Sequence, residues 1–202
     1  MSAPFQPRDP GDVARFVAAN PIGLVVSHGP DGFASTPLPL LPSVDADGNV
    51  VELLGHFALS NPQVAVLRGN TAVHVVFQGP HGYIRPRWVS RRSWAPTWNY
   101  ALVRFDAELR FVPEETPRAV EELVAAMEGD APDAWSTADM GERYEQLLRR
   151  VVAFRARVTG TRATFKLGQD ETPEVFREIL AGLGEHPLAA MMAEQNPDKL
   201  GG

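Results

Sequence analysis

Six arginines stand in a stretch of the chain that contains no acid. Between Leu53 and Phe105 there is no Asp or Glu, while Arg68, Arg85, Arg87, Arg91, Arg92 and Arg104 make the stretch +6 with His neutral, in a 202-residue chain of net charge −6. A positive island in an acidic protein suits an anionic ligand. Read as a strand, Gly82 to Trp88 puts Tyr83, Arg85 and Arg87 on one face and Ile84, Pro86 and Trp88 on the other. Two guanidiniums beside a phenol form a clamp for phosphate or carboxylate, because each guanidinium offers paired donors matched to such oxygens. A plainer reading stands beside it, in which the arginines are solvated or paired with carboxylates from elsewhere in the chain.

Further on, Pro96-Thr97-Trp98-Asn99-Tyr100 combines two aromatic rings with a hydroxyl and an amide. The rings suit the walls of a flat ligand, with Thr97 and Asn99 bonding its edge. Alternation separates Thr97 and Asn99 from Trp98 and Tyr100, so the rings equally suit a core. His56 and Asn61 flank the end of a strand, and Gln63 follows near the start of a helix, whose amide hydrogens suit an anion. For His56 a structural hydrogen bond competes with ligand contact. The histidines match no metal-binding spacing, and no Gly-x-Ser-x-Gly, Walker or Gly-x-Gly-x-x-Gly motif is present.

The elements that would position these residues are mostly β. Asp9-Pro10 starts a short helix that ends at Asn20-Pro21, where it would close one end of a barrel. Ile22 to Ser27 and Phe33 to Leu41 read as a hairpin, and Val50 to Phe57 as a third strand after the turn at Asp45 to Asn49. Asn61 is expected to cap a helix with Pro62 at its first position and Gly69 after its last turn. Thr71 to Phe77 and Gly82 to Trp88 read as a second hairpin turning at Gly79-Pro80-His81-Gly82. Thr97 to Phe111 is a long strand, Val151 to Thr159 a late one, and the tail beyond Pro187 reads as helical or frayed. Consecutive antiparallel strands favour a barrel or sandwich over βαβ units.

The length of 202 residues suits one domain able to bury a core without disulfides, and no Cys is present to form any. The N-terminus does not read as a signal peptide, and no apolar run approaches the roughly 20 residues of a membrane span. A cytoplasmic location is expected. A pI near 5.4 argues against direct DNA contact.

Several of these pieces also carry a resemblance. Pro21 to Val26, Pro37 to Leu41, Gly55-His56 with Asn61-Pro62-Gln63, Phe77 with Gly79-Pro80, Tyr83-Ile84 with Pro86 and Trp88, Pro96 to Tyr100, and Lys166-Leu167 with Gln169 follow one another in family order. Together they resemble the PaiB family, the FMN-binding negative transcriptional regulators of flavin-reductase-like split-barrel fold. The resemblance implies a homodimer with FMN in a cleft between subunits, its phosphate held by basic and hydroxyl groups. Leu59 stands where the family usually has a basic residue, Arg85 and Arg87 where it has serines, and the loop from Val89 to Ala95 looks shorter than usual.

The expected fold is therefore mainly β (α+β): an FMN-binding split β-barrel with peripheral helices, its core over about 21–112, a late strand over about 151–159, and helical additions over about 116–149 and 172–195. Arg85 and Arg87 are expected to hold phosphate or another anion. His56, Asn61, Gln63, Tyr83, Thr97, Trp98, Asn99 and Lys166 complete the expected pocket. A PaiB-like regulator is the first functional reading, an FMN-dependent oxidoreductase the second, and a scaffold that has lost its ligand the third.

Overall fold

The computed structural model describes residues 5–131 and 133–201, so the reading of the extreme N-terminus lies partly outside them. Helix α1 (Pro10–Ala19) starts as expected: the Asp9 carboxylate accepts the N–H of Asp12, and the Asp12 carboxylate accepts that of Asp9. It buries Val13, Phe16 and Val17, and the Asn20 amide donates back to the Phe16 carbonyl.

Seven strands form one antiparallel sheet: β1 (Ile22–Gly29), β2 (Gly32–Pro39), β3 (Leu41–Val44), β4 (Val50–Ala58), β5 (Ala72–Ile84), β6 (Thr97–Phe111) and β7 (Val151–Lys166). Their order is β2-β1-β5-β6-β7-β4-β3. The stretch expected as one strand from Phe33 to Leu41 is two, broken at the fully buried Leu40. Since β2 and β3 are the two edges of the sheet, that single residue carries the chain from one edge to the other and rolls the sheet into a split barrel.

The second expected hairpin is absent. Residues 72–84 form one strand, paired along its length with β6, with a register shift between Gln78 and His81. The turn-like sequence Gly79-Pro80 is a bulge, where Pro80 supplies no ladder N–H and the Phe16 ring of α1 lies against Gly79. Strand β7 is longer than expected and central, pairing β6 on one side and β4 on the other, so it joins the two halves of the barrel. Inward residues alternate into one core, where Phe77 meets Phe105 at 6.0 Å and Phe57 meets Phe154 at 5.1 Å between ring centroids.

Helix α2 (Gln63–Gly69) starts one residue later than expected, and Gly69 is its last residue rather than its stop. The acidic segment after β6 contains α3 (Thr116–Glu128) and α4 (Arg143–Leu148), with irregular chain and a short 3₁₀ turn between them. Arg155 of β7 holds the start of α3 in place through Glu115 (2.6 Å) and also pairs with Glu52 (2.5 Å). Helices α5 (Pro173–Leu183) and α6 (Pro187–Gln195) complete the chain. The tail is docked rather than frayed: Leu188 and Met192 are buried, and the Lys199 ammonium donates to the carbonyls of Gly168, Gln169 and Glu171.

Leu40 fits because its neighbours are glycines. A Cβ on Gly23 would lie 2.9 Å from one Leu40 methyl, and a Cβ on Gly55 would lie 2.5 Å from the other and 2.9 Å from the Phe154 ring. Gly55→Ala is expected to destabilise the fold by about 1–3 kcal/mol, because no buried neighbour can withdraw. Gly69→Ala, with nothing within 4 Å, is expected to be neutral or stabilising. Urea unfolding of the two variants tests this contrast.

Candidate functional site

The residues singled out from the sequence fall into three places. Asn61 and Gln63 sit where α2 meets the β1–β2 hairpin. Gln63 is 2% exposed, and its amide donates to the Val25 carbonyl and the Ser27 hydroxyl, each at 3.0 Å, while its oxygen accepts the Thr36 hydroxyl at 2.6 Å. Asn61 donates to the Thr36 oxygen and accepts the N–H of Gln63. The hydrogen bonds of both side chains are internal, so they act here as a tie between helix and hairpin.

His56 lies elsewhere, on β4 opposite Ala153, where it lines a cavity of about 410 Å³ bounded by α3 and α4. Its Nδ1 is sealed from solvent with no hydrogen-bond partner. Burial pushes its pKa below the ordinary 6.5.

The third place gathers the aromatics. Tyr83 of β5 lies directly opposite Trp98 of β6, and His81 opposite Tyr100. Trp98 stacks on His81 (6.3 Å, 29°) and tilts against Tyr83 (5.8 Å, 57°). These rings are not core: Trp98 is 55% and Tyr83 42% exposed. The side chains turned inward are those between them, with Asn99 buried against the Met192 sulfur and Thr97 accepting a hydrogen bond from the Lys166 ammonium. Lys166 also lies 5.9 Å over the Phe5 ring. His81 was missed as a member of this strip because the sequence assigned it to a turn.

The expected two-arginine face does not form, because β5 ends at Ile84 and Pro86–Trp88 is a 3₁₀ turn. Arg85 stacks over the Trp88 ring at 5.9 Å, and Arg87 is exposed on the turn. The positive island is also dispersed: Arg68 ends α2, Arg91 and Arg92 lie in a loop, and Arg104 faces Arg162 across β6 and β7. None of the six arginines forms an ion pair among the described residues, which removes the reading that they are matched to carboxylates of their own chain.

Around the strip the sheet face is uncovered. Ile22, Leu24 and the 80% exposed Phe33 continue it across β1 and β2. The rolled antiparallel sheet is a split β-barrel. Two solved structures share it at TM-score 0.60: the FAD and heme binding protein from Mycobacterium smegmatis (13% identical, covering 78% of this chain and 71% of that one) and the flavocytochrome Anf3 from Azotobacter vinelandii (12%, covering 79% and 68%). Residues 1–160 match the family described as "Putative FMN-binding domain". The protease synthase and sporulation protein PAI 2 of Bacillus subtilis strain 168 is 31% identical over 203 residues, covering 97% of this chain and 95% of its own. The chain belongs to this FMN-binding family, and its PaiB resemblance and split-barrel fold are both borne out.

The sealed His56 gives a pH dependence. Its folded-state pKa is depressed, so the unfolded chain takes up the proton first. The stability that depends on a neutral ring is complete above about pH 6.5 and declines as pH falls below that value. Chemical denaturation between pH 7.5 and 5.5 is expected to show a loss in the parent protein that His56→Gln removes.

Proposed function

We propose that this PaiB-like protein binds FMN as a cytoplasmic homodimer, and that it acts in regulation rather than turnover. The carrying observation is the stacked strip His81, Trp98 and Tyr83, held in the open on an otherwise well-packed sheet. Aromatic rings of this size favour burial, and a planar tricyclic ring is suited to cover them. The donor set beside the strip fits the rest of the ligand. Lys166 supplies an ammonium, and Arg85 and Arg87 supply cations without carboxylate partners among the described residues, while the inward-turned Asn99 supports the strand from the core side.

A second copy of the chain is the natural cover for the remaining apolar face, where Ile22, Leu24 and Phe33 would otherwise stay in water. Asn61 and Gln63 support the fold in this reading by their internal hydrogen bonds, and His56 lies apart from the strip, on β4. FMN, when bound, supplies electron-transfer chemistry that the side chains alone lack. The regulatory part rests on the likeness to PaiB proteins. With a net charge of −6, control through ligand state and partner proteins fits better than direct contact with DNA.

Titration of the purified protein with FMN is expected to give saturable fluorescence quenching and a raised Tm, with a solution mass twice the 22.1 kDa of one chain. Trp98→Ala is expected to weaken FMN about five- to tenfold. The double variant Arg85→Gln, Arg87→Gln is expected to weaken FMN while leaving riboflavin, which lacks the phosphate, unchanged. Absence of quenching, or a Trp98→Ala variant that binds FMN as the parent does, would overturn the assignment. NADH oxidation that depends on added FMN would shift the reading from regulation to turnover.

A further inference from the structure

The His56 cavity belongs to a different part of the outer surface, where β4 and β7 lie under α3 and α4. Helix α3 packs on these strands through Ala119, against Leu54, Val112 and Ala153. Beside that contact α4 bridges over, held by the Tyr144 hydroxyl, which donates to Glu121 at 3.0 Å. The space left between has a volume of about 410 Å³ and walls of Val120, Leu147, Leu148 and Val151, a size suited to a small molecule.

Its polar lining consists of the Ser60 and Tyr144 hydroxyls, the His56 ring and the Arg150 guanidinium. No acidic residue lines it, although the chain as a whole is acidic, and its single charged group is Arg150. Arg150 is exposed and forms no ion pair among the described residues, whereas the adjacent Arg149 pairs with Glu145. His56 offers a neutral polar group beside it. With Nδ1 sealed and unpartnered, an unpaired lone pair there is less costly than an unpaired N–H. The ring proton therefore belongs on Nε2, the nitrogen left to serve the cavity. The site thus combines an apolar body, neutral hydroxyl and imidazole donors and one cation.

We propose that this cavity binds a small apolar carboxylic acid, separate from the flavin face. The hydrocarbon part of the acid lies against Val120, Leu147, Leu148 and Val151, and its carboxylate accepts from His56 Nε2 and from the Arg150 guanidinium. A neutral molecule of the same shape satisfies the walls but leaves the guanidinium unmatched. Because α4 forms one wall and is tied to α3, occupancy by the acid stabilises the acidic segment between β6 and β7.

Isothermal titration calorimetry of the full chain with octanoate and with 1-octanol tests this. Octanoate is expected to bind saturably at one site per chain, at least about tenfold tighter than 1-octanol, which lacks the charge-assisted bonds. Ala58→Phe, which fills the cavity from β4, is expected to abolish binding of both. Arg150→Gln, a surface change that carries the test should Ala58→Phe fail to fold, is expected to weaken octanoate about tenfold and leave 1-octanol unchanged. No saturable heat with octanoate, octanol binding as tightly as the acid, or affinities indifferent to both substitutions would overturn the proposal.

Discussion

The seating of Leu40 between Gly23 and Gly55 is the constraint on which the barrel depends. One residue separates β2 from β3, yet these are opposite edges of a seven-stranded sheet. The sheet must therefore roll until its edges meet at that residue. The Leu40 N–H is bonded to the Pro21 carbonyl at 2.8 Å, which fixes the pivot in the backbone, and its two methyl groups occupy the space that side chains at positions 23 and 55 would need. Behind the same glycines lie the rings of Phe77 and Phe154. One leucine thus sets the register of β1 against β4 across the core, and a close-packed interior transmits that setting to the strands beyond.

Closing the barrel leaves a convex outer surface, and the rest of the chain covers it unevenly. Over β4 and β7, α3 and α4 form a roof, fastened by Arg155 to Glu115 and by the Ala153 N–H to the Thr116 hydroxyl. Helix α6 packs instead on the inner side of β5 and β6, where Leu188 and Met192 join the main core. Among the described residues no helix covers the outer faces of β1, β2, β5 and β6, which keep their exposed apolar side chains. That division has a physical consequence. The roofed part shapes a cavity within one chain, whereas only a partner or ligand from outside could lower the cost of the bare part in water.

Local chemistry was legible in the sequence and non-local packing was not. The capping box of α1, the hairpin at Gly29 to Gly32 and the turn at Asp45 to Asn49 depend on residues within a few positions of each other, and all three formed. Gly79-Pro80 reads as a turn by the same local rules, but its outcome was decided by the Phe16 ring arriving from α1. The late strand was expected to end at Thr159, yet β7 continues to Lys166, with a register shift against β6 between Asp106 and Ala107. The exposure of Trp98 did leave a signal. Ala101, Val103, Phe105, Ala107 and Leu109 keep a strict period of two, and extending it backward places Asn99 inside and Trp98 outside. The positive island was legible as charge but not as a place, since folding carries its arginines to separate elements.

That dispersal bears on how an anion is held. A cluster of arginines on one strand face would form a local clamp, but Arg85, Arg87 and Arg104 are set apart on a turn and on β6, and Arg104 faces a like charge at Arg162. Like charges opposite one another on a sheet disfavour each other. The nearby carboxylates are already engaged, Asp106 by His74 at 2.5 Å and Arg162 at 3.4 Å and Glu108 by Arg157. The bare face therefore carries uncompensated positive charge alongside its apolar surface. A ligand that is both planar and anionic answers both terms at once, while a purely apolar partner would bury cations without matching them. The charge pattern is thus consistent with the proposed flavin phosphate, or with acidic groups of a second chain, more than with a featureless hydrophobic contact.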